Sequence, residues 1–350
     1  MYDTSTNAVQ NRSFSRIIKT HNKQDNTPKN YIILKYIFSH QYECFDILIH
    51  YFSAHFFFCN FCNTLRIQLP IIVGFIGGGN MASAIGAGLI RKGILDPNNV
   101  WVSARTSKTL GFWNDLGAHA TLKNGEVVDN CEIIFLAMKP QMLDDALKCT
   151  KETMTLHHHY KLFVSVLVGV TLETLSNKLK SIVSRPRIIR CMPNTPMMVG
   201  EGITVYCSVN ATDQDEMMVE ELLSYIGVTE HVPQSLMNAI GALSGSSPAY
   251  AYLVIEALAD GAVKMGVPRP MATKFAAQVL VGAGKMVLET GKHPGQLKDE
   301  VCSPGGTTIA GIHAMECGQV RASMMNAIEA AVKRANELTS LTSITQSSST

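Results

Sequence analysis

The sequence predicts an α/β protein in which a doubly wound parallel sheet over residues 70–233 is followed by an all-helical domain over residues 234–340. Three observations carry this. Short apolar runs alternate with helix-length segments from Ile71 onward, a glycine-rich strand-to-helix junction opens the first of these units, and strand signals stop after about Pro233 while helical patterns continue. Strands that alternate with helices of this length pair in parallel, because each crossover helix returns the chain to the same end of the sheet. At 350 residues and 46% hydrophobic content the chain can bury a sizeable core in about two domains.

Residues 1–69 stand apart: they are poor in Gly and rich in Asn, Lys, His, Tyr and Phe. The apolar stretch Tyr31 to Phe58 is broken by Lys35, His40, Glu43, Asp46, His50 and His55. A bilayer-spanning helix takes roughly 20 predominantly apolar residues, so no membrane span is expected. Arg and Ser are few near the start and Asp3 and Asp25 lie among them, unlike a transit peptide. The stretch is read as a poorly ordered extension. His50, His55, Cys59 and Cys62 are zinc-type ligands, but their spacing is not that of a standard finger and Phe56, Phe57, Phe58 and Phe61 surround them. No metal is predicted.

The strands follow in order as Ile71 to Ile76, Asn99 to Ser103, Glu132 to Ala137, Lys161 to Val166 and Arg187 to Cys191. His157, His158 and His159 are consecutive, cannot share a helix face and read as a solvated loop. The helical part divides into Ser247 to Met265, Pro270 to Glu289 and Gly306 to Leu338 with breaks. Two of these segments, Ala249 to Ala262 and Ala272 to Val287, are apolar on most faces, more than one small domain can cover. A homodimer built on helices is the physical consequence. From Thr339 the chain is mostly Ser and Thr and is read as frayed, with residues 341–350 a disordered tail.

A net charge of +2, from 30 basic and 28 acidic residues, gives no footprint for nucleic acid or an anionic membrane. Small-molecule chemistry remains. Nine irregularly spaced cysteines in a long chain suit a reducing compartment, with no disulfides expected. The cytoplasm is the expected location, with the mitochondrion as the alternative.

Gly77-Gly78-Gly79-Asn80-Met81-Ala82 is a G-x-G-x-x-A directly after an apolar strand and opening the helix Met81 to Arg91. Gly77 permits the tight turn, Gly79 lets backbone approach a pyrophosphate, and Ala82 keeps helix and strand close. This predicts a Rossmann fold with a dinucleotide at the helix N-terminus. The second strand ends Val102-Ser103-Ala104-Arg105-Thr106, without the acid that would hold a ribose 2′-hydroxyl. Arg105, with Ser103 and Thr106, can accept a 2′-phosphate instead, which favours NADPH, with NADH possible. Ala137-Met138-Lys139-Pro140 lies at the carboxyl end of a strand, where open sheets bind ligands, and Lys139 faces either cofactor or solvent.

Met192-Pro193-Asn194-Thr195-Pro196 is either a rigid turn or a source of an amide for a ligand. Leu243 to Tyr250 and Cys302 to Ile309 each read as a Ser-capped helix start with an early Pro, capping motifs that can also receive a carboxylate.

Taken together, Leu243 to Tyr250, His293 to Asp299 and Val301 to Ile309 resemble the signature of the pyrroline-5-carboxylate reductase family, and the likeness extends over Gly74 to about Leu338. The resemblance implies a Rossmann domain joined to a helical dimerisation domain, and reduction of Δ1-pyrroline-5-carboxylate to L-proline, the final step of proline biosynthesis. Cofactor contacts would fall on Ile76, Gly77, Gly78, Gly79, Asn80 and Met81, on Ala104, Arg105 and Thr106, on Asn124, and on Ala137, Met138, Lys139 and Pro140. Gly306, Thr307 and Thr308, with Ser303, would hold the substrate carboxylate, from the partner subunit. Thr308 would orient the ring nitrogen, with water supplying the proton, since a threonine hydroxyl is a poor acid. Val166-Leu167-Val168-Gly169 is bulkier than the family's small-residue stretch there, and residues 1–69 have no family counterpart. A hydroxyacid dehydrogenase would share Gly77 to Ala82 and carry a lysine in the helical domain, where Lys264, Lys274 and Lys285 lie; the run Ser303 to Thr308 argues against it. A dinucleotide sensor would keep the fingerprint and lose the substrate loops.

Overall fold

The computed structural model describes residues 71–347; the expected extension, with His50, His55, Cys59 and Cys62, and the last three residues lie outside the described residues. Eight strands form one sheet in the order β3-β2-β1-β4-β5-β6-β7-β8. They are β1 Val73–Ile76, β2 Val100–Ser103, β3 His119–Thr121, β4 Ile133–Leu136, β5 Tyr160–Ser165, β6 Arg185–Pro193, β7 Gly202–Val209 and β8 Gly227–His231. Every residue of β1 and β4 is buried, as strands covered by helices on both faces must be. Phe75 on β1 pairs in register with Val102 and Phe135, and the Phe75 and Phe135 rings stack at 5.0 Å.

Helices α1 Asn80–Arg91, α2 Ser107–Asp115, α3 Asn124–Asn130, α4 Leu143–Thr153, α5 Leu172–Leu179 and α6 Asp213–Ser224 make the crossovers and the covering layers. The chain runs from β1 out to β3 and then returns to place β4 beside β1. That reversal creates the crevice where an open sheet takes its ligand. Five strands agree with the sequence reading; β3, β7 and β8 are additional. One pair departs from the parallel expectation, because β6 and β7 run antiparallel. Their connection is a single 3-10 turn, Thr195–Val199, closed by Gly200 at φ +82°, too short for the crossover that a parallel pair requires.

Beyond β8 the chain is helical: α7 Met237–Gly241, a π turn Ala242–Ser246, α8 Ser247–Lys264, α9 Arg269–Thr290, α10 Pro294–Val301, α11 Thr307–Cys317 and α12 Val320–Ser347. α8 and α9 meet through Ala259, Ala272 and Ala276, small side chains that let the two backbones approach. Their larger residues face outward; Leu253 is 62% and Leu288 82% exposed. The apolar surface read from the sequence is therefore real, and one subunit leaves it uncovered.

α12 is helical through Ser347, past Thr339, where composition predicts fraying and a disordered tail from 341. Thr339 Oγ1 and Ser340 Oγ donate back to Ala335 O and Asn336 O, one turn earlier, so these hydroxyls find partners inside the helix without ending it.

Candidate active site

The glycine loop after β1 is shaped by three different demands. Gly77 has φ +103°, and a Cβ there would lie 2.7 Å from Met138 N, so it satisfies both a left-handed turn and contact with the Ala137–Met138 peptide. The strand ends are tied together: Gly77 N–H donates to Ser103 O and Ala137 N–H to Ile76 O, both at 2.9 Å. Gly78 is buried, and its carbonyl accepts from Trp113 Nε1 at 3.0 Å. Gly79 caps α1 with no side-chain cap bond, and no atom lies within 4 Å of where its Cβ would be. The first N–H groups of α1 thus open onto free space at the positive end of the helix dipole, an arrangement able to receive an anion such as a pyrophosphate. Ala82 is fully buried, consistent with close packing of α1 on the sheet.

The end of β2 needs one correction. Ser103 is fully buried, with its hydroxyl 3.5 Å from Phe75 O, because this end of β2 is covered on both faces, Val102 being buried on the other. It cannot join a 2′-phosphate site. Arg105 is exposed, its guanidinium Nη1 3.8 Å from Met142 Sδ, and Thr106 is the N-cap of α2. The Thr106 hydroxyl pairs with Thr109 Oγ1 at 3.1 Å and makes no cap bond, so the start of α2 also keeps free donors, with no acid in its first turn. Asn124 opens α3 and donates from Nδ2 to Ala146 O at 3.0 Å, which fixes its amide at the same edge. Lys139 is exposed and caps the 3-10 turn Pro140–Met142.

After β5, Leu167 and Val170 turn into the core, leaving Val168 as the exposed side chain. The bulk noted in the sequence is therefore mostly spent inward.

Asn194 proves structural. It is 5% exposed; Nδ2 donates to Ser244 O at 3.0 Å and Oδ1 accepts from Ile203 N at 2.8 Å. Leu243 to Tyr250 is not a helix start either, since α7, the π turn and α8 run on continuously through it. Pro248 has no N–H for the carbonyl four residues back, and that carbonyl is Ser244 O, which Asn194 takes up. A π turn inserted here lets the helix pass the proline.

Cys302 to Ile309 does contain a helix start, but the cap of α11 is Gly306, with no side-chain cap bond, rather than Ser303. A Cβ on Gly306 would meet Ser303 Oγ at 2.3 Å, so Ser303, Gly306 and the first turn of α11 are tightly assembled. Among the described residues, the Thr307 and Thr308 hydroxyls make no hydrogen bond within the chain. Free N–H groups at a helix N-terminus beside two hydroxyls are chemically able to receive an anion such as a carboxylate.

Burial pushes the Cys131 thiol up to about 12 and raises those of Cys191 and Cys207, leaving them inert. Among the described residues, no group of three His, Cys, Asp or Glu is arranged to hold a metal, and no helix is long and apolar enough to cross a membrane. The hydrogen bonds from Trp113 to Gly78 O and from Asn194 to Ser244 O were not legible in the sequence.

Residues 234–338 match the family described as pyrroline-5-carboxylate reductase dimerisation, and residues 72–169 match that described as NADP oxidoreductase coenzyme F420-dependent. Pyrroline-5-carboxylate reductase 2 of Bos taurus is 41% identical over 272 residues, spanning 77% of this chain and 84% of its own length. The pyrroline-5-carboxylate reductase of Glycine max is 41% identical over 268 residues, 76% of this chain and 95% of its own. Among solved structures, the Coxiella burnetii pyrroline-5-carboxylate reductase superposes with a TM-score of 0.68 at 35% identity, over 77% of this chain and 98% of its own. The Plasmodium falciparum pyrroline carboxylate reductase, solved with NADP bound, gives 0.68 at 30% identity, over 78% and 100%.

Proposed function

The chain belongs to the pyrroline-5-carboxylate reductase family, and from that premise we infer that it reduces Δ1-pyrroline-5-carboxylate to L-proline, the closing step of proline biosynthesis. It is an oxidoreductase that uses a nicotinamide cofactor and works as a dimer or larger oligomer. The observation that carries the reading in this chain is the start of α11: an uncapped helix end with two unpaired threonine hydroxyls, present in addition to the cofactor loop. A sensor of dinucleotides would have no use for it.

A bound nicotinamide cofactor would supply a hydride to the C=N carbon of the ring, whose nitrogen would take up a proton. The chain supplies position. Gly79, Asn80 and Met81 offer backbone N–H groups to the pyrophosphate, with Ile76, Gly77 and Gly78 forming the turn beneath, and Ala137 to Pro140 closes the other side of the crevice. Ala104, Arg105, Thr106 and Asn124 line the adenosine end, where positive charge without an opposing carboxylate favours NADPH over NADH. Gly306, Thr307 and Thr308, beside Ser303, bind the substrate carboxylate, and the Thr308 hydroxyl orients the ring nitrogen while water delivers the proton. Holding hydride donor and acceptor carbon in contact accounts for most of the acceleration. The exposed faces of α8 and α9 support a dimer in which α11 of one subunit serves the cofactor domain of its partner, with residues 70–233 devoted to the dinucleotide and 234–340 to substrate and assembly.

The test is turnover of pyrroline-5-carboxylate by the full chain with NADPH and with NADH, alongside Arg105→Ala. A charge-assisted contact contributes about 1.5–3 kcal/mol, and the exposure of Arg105 brings this toward the low end, roughly tenfold in KM for NADPH. NADH should be nearly unaffected. Equal losses with both cofactors would remove Arg105 from the 2′-phosphate site, and no turnover with either would overturn the reading.

A further inference from the structure

The cofactor loop is held from behind by a residue outside it. Trp113, on α2, is fully buried, and its indole lies under both the loop and the helix that follows. A Cβ on Gly78 would sit 2.9 Å from Trp113 Nε1, and one on Gly86 2.8 Å from the far edge of the same ring. The indole stacks on Phe75 of β1 at 5.7 Å and 26°, so its position is fixed from the strand side as well. Its N–H donates to Gly78 O at 3.0 Å in a buried setting.

That bond has a directional consequence for the next residue. Gly78 C=O and Gly79 N–H belong to one trans peptide, and in a planar trans peptide these two groups point in opposite directions. Drawing the Gly78 carbonyl down into the core turns the Gly79 N–H up and out. Gly78 is buried while Gly79 is exposed with open space above it, and the Gly79 N–H has no acceptor among the described residues. Glycine at both positions leaves this peptide free to flip, since neither has a side chain to resist rotation. Without the indole donor, a flipped loop would present a carbonyl oxygen to the pyrophosphate in place of a donor.

We propose that Trp113 is a positioning residue for the cofactor, its indole N–H locking the Gly78–Gly79 peptide so that the Gly79 N–H faces the pyrophosphate. The inference rests on the cofactor site described above. It makes a graded claim about ligands: those with a pyrophosphate depend on Trp113, and those without one do not.

Trp113→Phe keeps an aromatic ring in the slot and removes the donor. Binding of NADPH should weaken roughly 10- to 100-fold, as loss of one oriented hydrogen-bond donor to an anion implies. Adenosine 2′-monophosphate, which has no pyrophosphate, should bind as before. In turnover the KM for NADPH should rise while kcat at saturating cofactor and the KM for pyrroline-5-carboxylate hold. If the phenylalanine variant does not fold, 3-benzothienylalanine introduced at position 113 preserves the ring system and deletes only the N–H. Unchanged NADPH affinity in a folded variant would overturn the proposal, as would equal weakening of both ligands, which marks general loosening. If the unaltered protein bound neither ligand, the cofactor site itself would be misplaced and this inference would fall with it.

Discussion

Replacing Asn194 with Ala removes the tie between the loop after β6 and the π turn before α8. Two groups lose their partner: Ser244 O, buried and denied a helical donor by Pro248, and Ile203 N–H, which water can reach more readily. An orphaned buried polar group costs about 1–3 kcal/mol, so counting the first in full and the second in part gives a loss of about 2–4 kcal/mol. The assay is the urea unfolding midpoint at constant protein concentration, read by far-ultraviolet circular dichroism. A second substitution gives the reasoning its sharper test. Pro248→Ala returns an N–H four residues after Ser244, able to bond the same carbonyl, so the double variant N194A/P248A should recover about 1 kcal/mol relative to N194A alone. Strict additivity of the two substitutions, or an unaltered midpoint for N194A, would refute the account of Asn194 as the proline's compensating donor.

The two glycines of the cofactor loop should separate folding from binding. Gly77→Ala meets a positive φ and a backbone nitrogen at 2.7 Å and should lower the thermal midpoint, whereas Gly79→Ala enters open space and should fold normally while losing NADPH affinity in calorimetric titration. Thr308→Ala should reduce kcat/KM by about tenfold, well short of the 10² to 10⁴ that a general acid supplies; abolished turnover with intact cofactor binding would assign it a larger role. Asp129 is pushed up by burial but pulled further down by hydrogen bonds from Thr155 N–H and O–H, His158 Nε2 and Leu156 N–H, for a net lowered carboxyl pKa. Its contribution is complete above the ordinary aspartate value and is lost as pH falls through the lowered one, so Asp129→Asn should flatten the acid limb of the stability profile, measured by denaturant titration from neutral to acid pH.

The alternation of strands and helices, the opening of α1 and the extents of α8 and α9 were all legible, because each is written in contiguous residues whose periodicity or glycine spacing has a local cause. β3 was not, being three residues with little apolar character, and β8 carries Val228 as its only large aliphatic residue. β7 is different: Gly202 to Val209 displays a β-branched run that the sequence itself shows. What sequence could not display are contacts between distant positions. Trp113 reaches Gly78 across 35 residues and Asn194 reaches Ser244 across 50, and nothing in either local pattern marks a side chain as the donor for a remote carbonyl. The same blindness placed Ser103 beside a phosphate when packing on both faces of β2 buries it.

The outward-facing leucines and valines of α8 and α9 also set the conditions under which the protein persists. A surface of that kind is stable only when another subunit covers it, so apparent stability rises with the logarithm of protein concentration and dilution acts as a denaturant. A subunit released from its partner faces two fates, reassociation or adhesion to any other apolar surface, and the ratio between them depends on how many cognate subunits are nearby. Synthesis rate and local abundance thereby become determinants of how long each folded molecule survives.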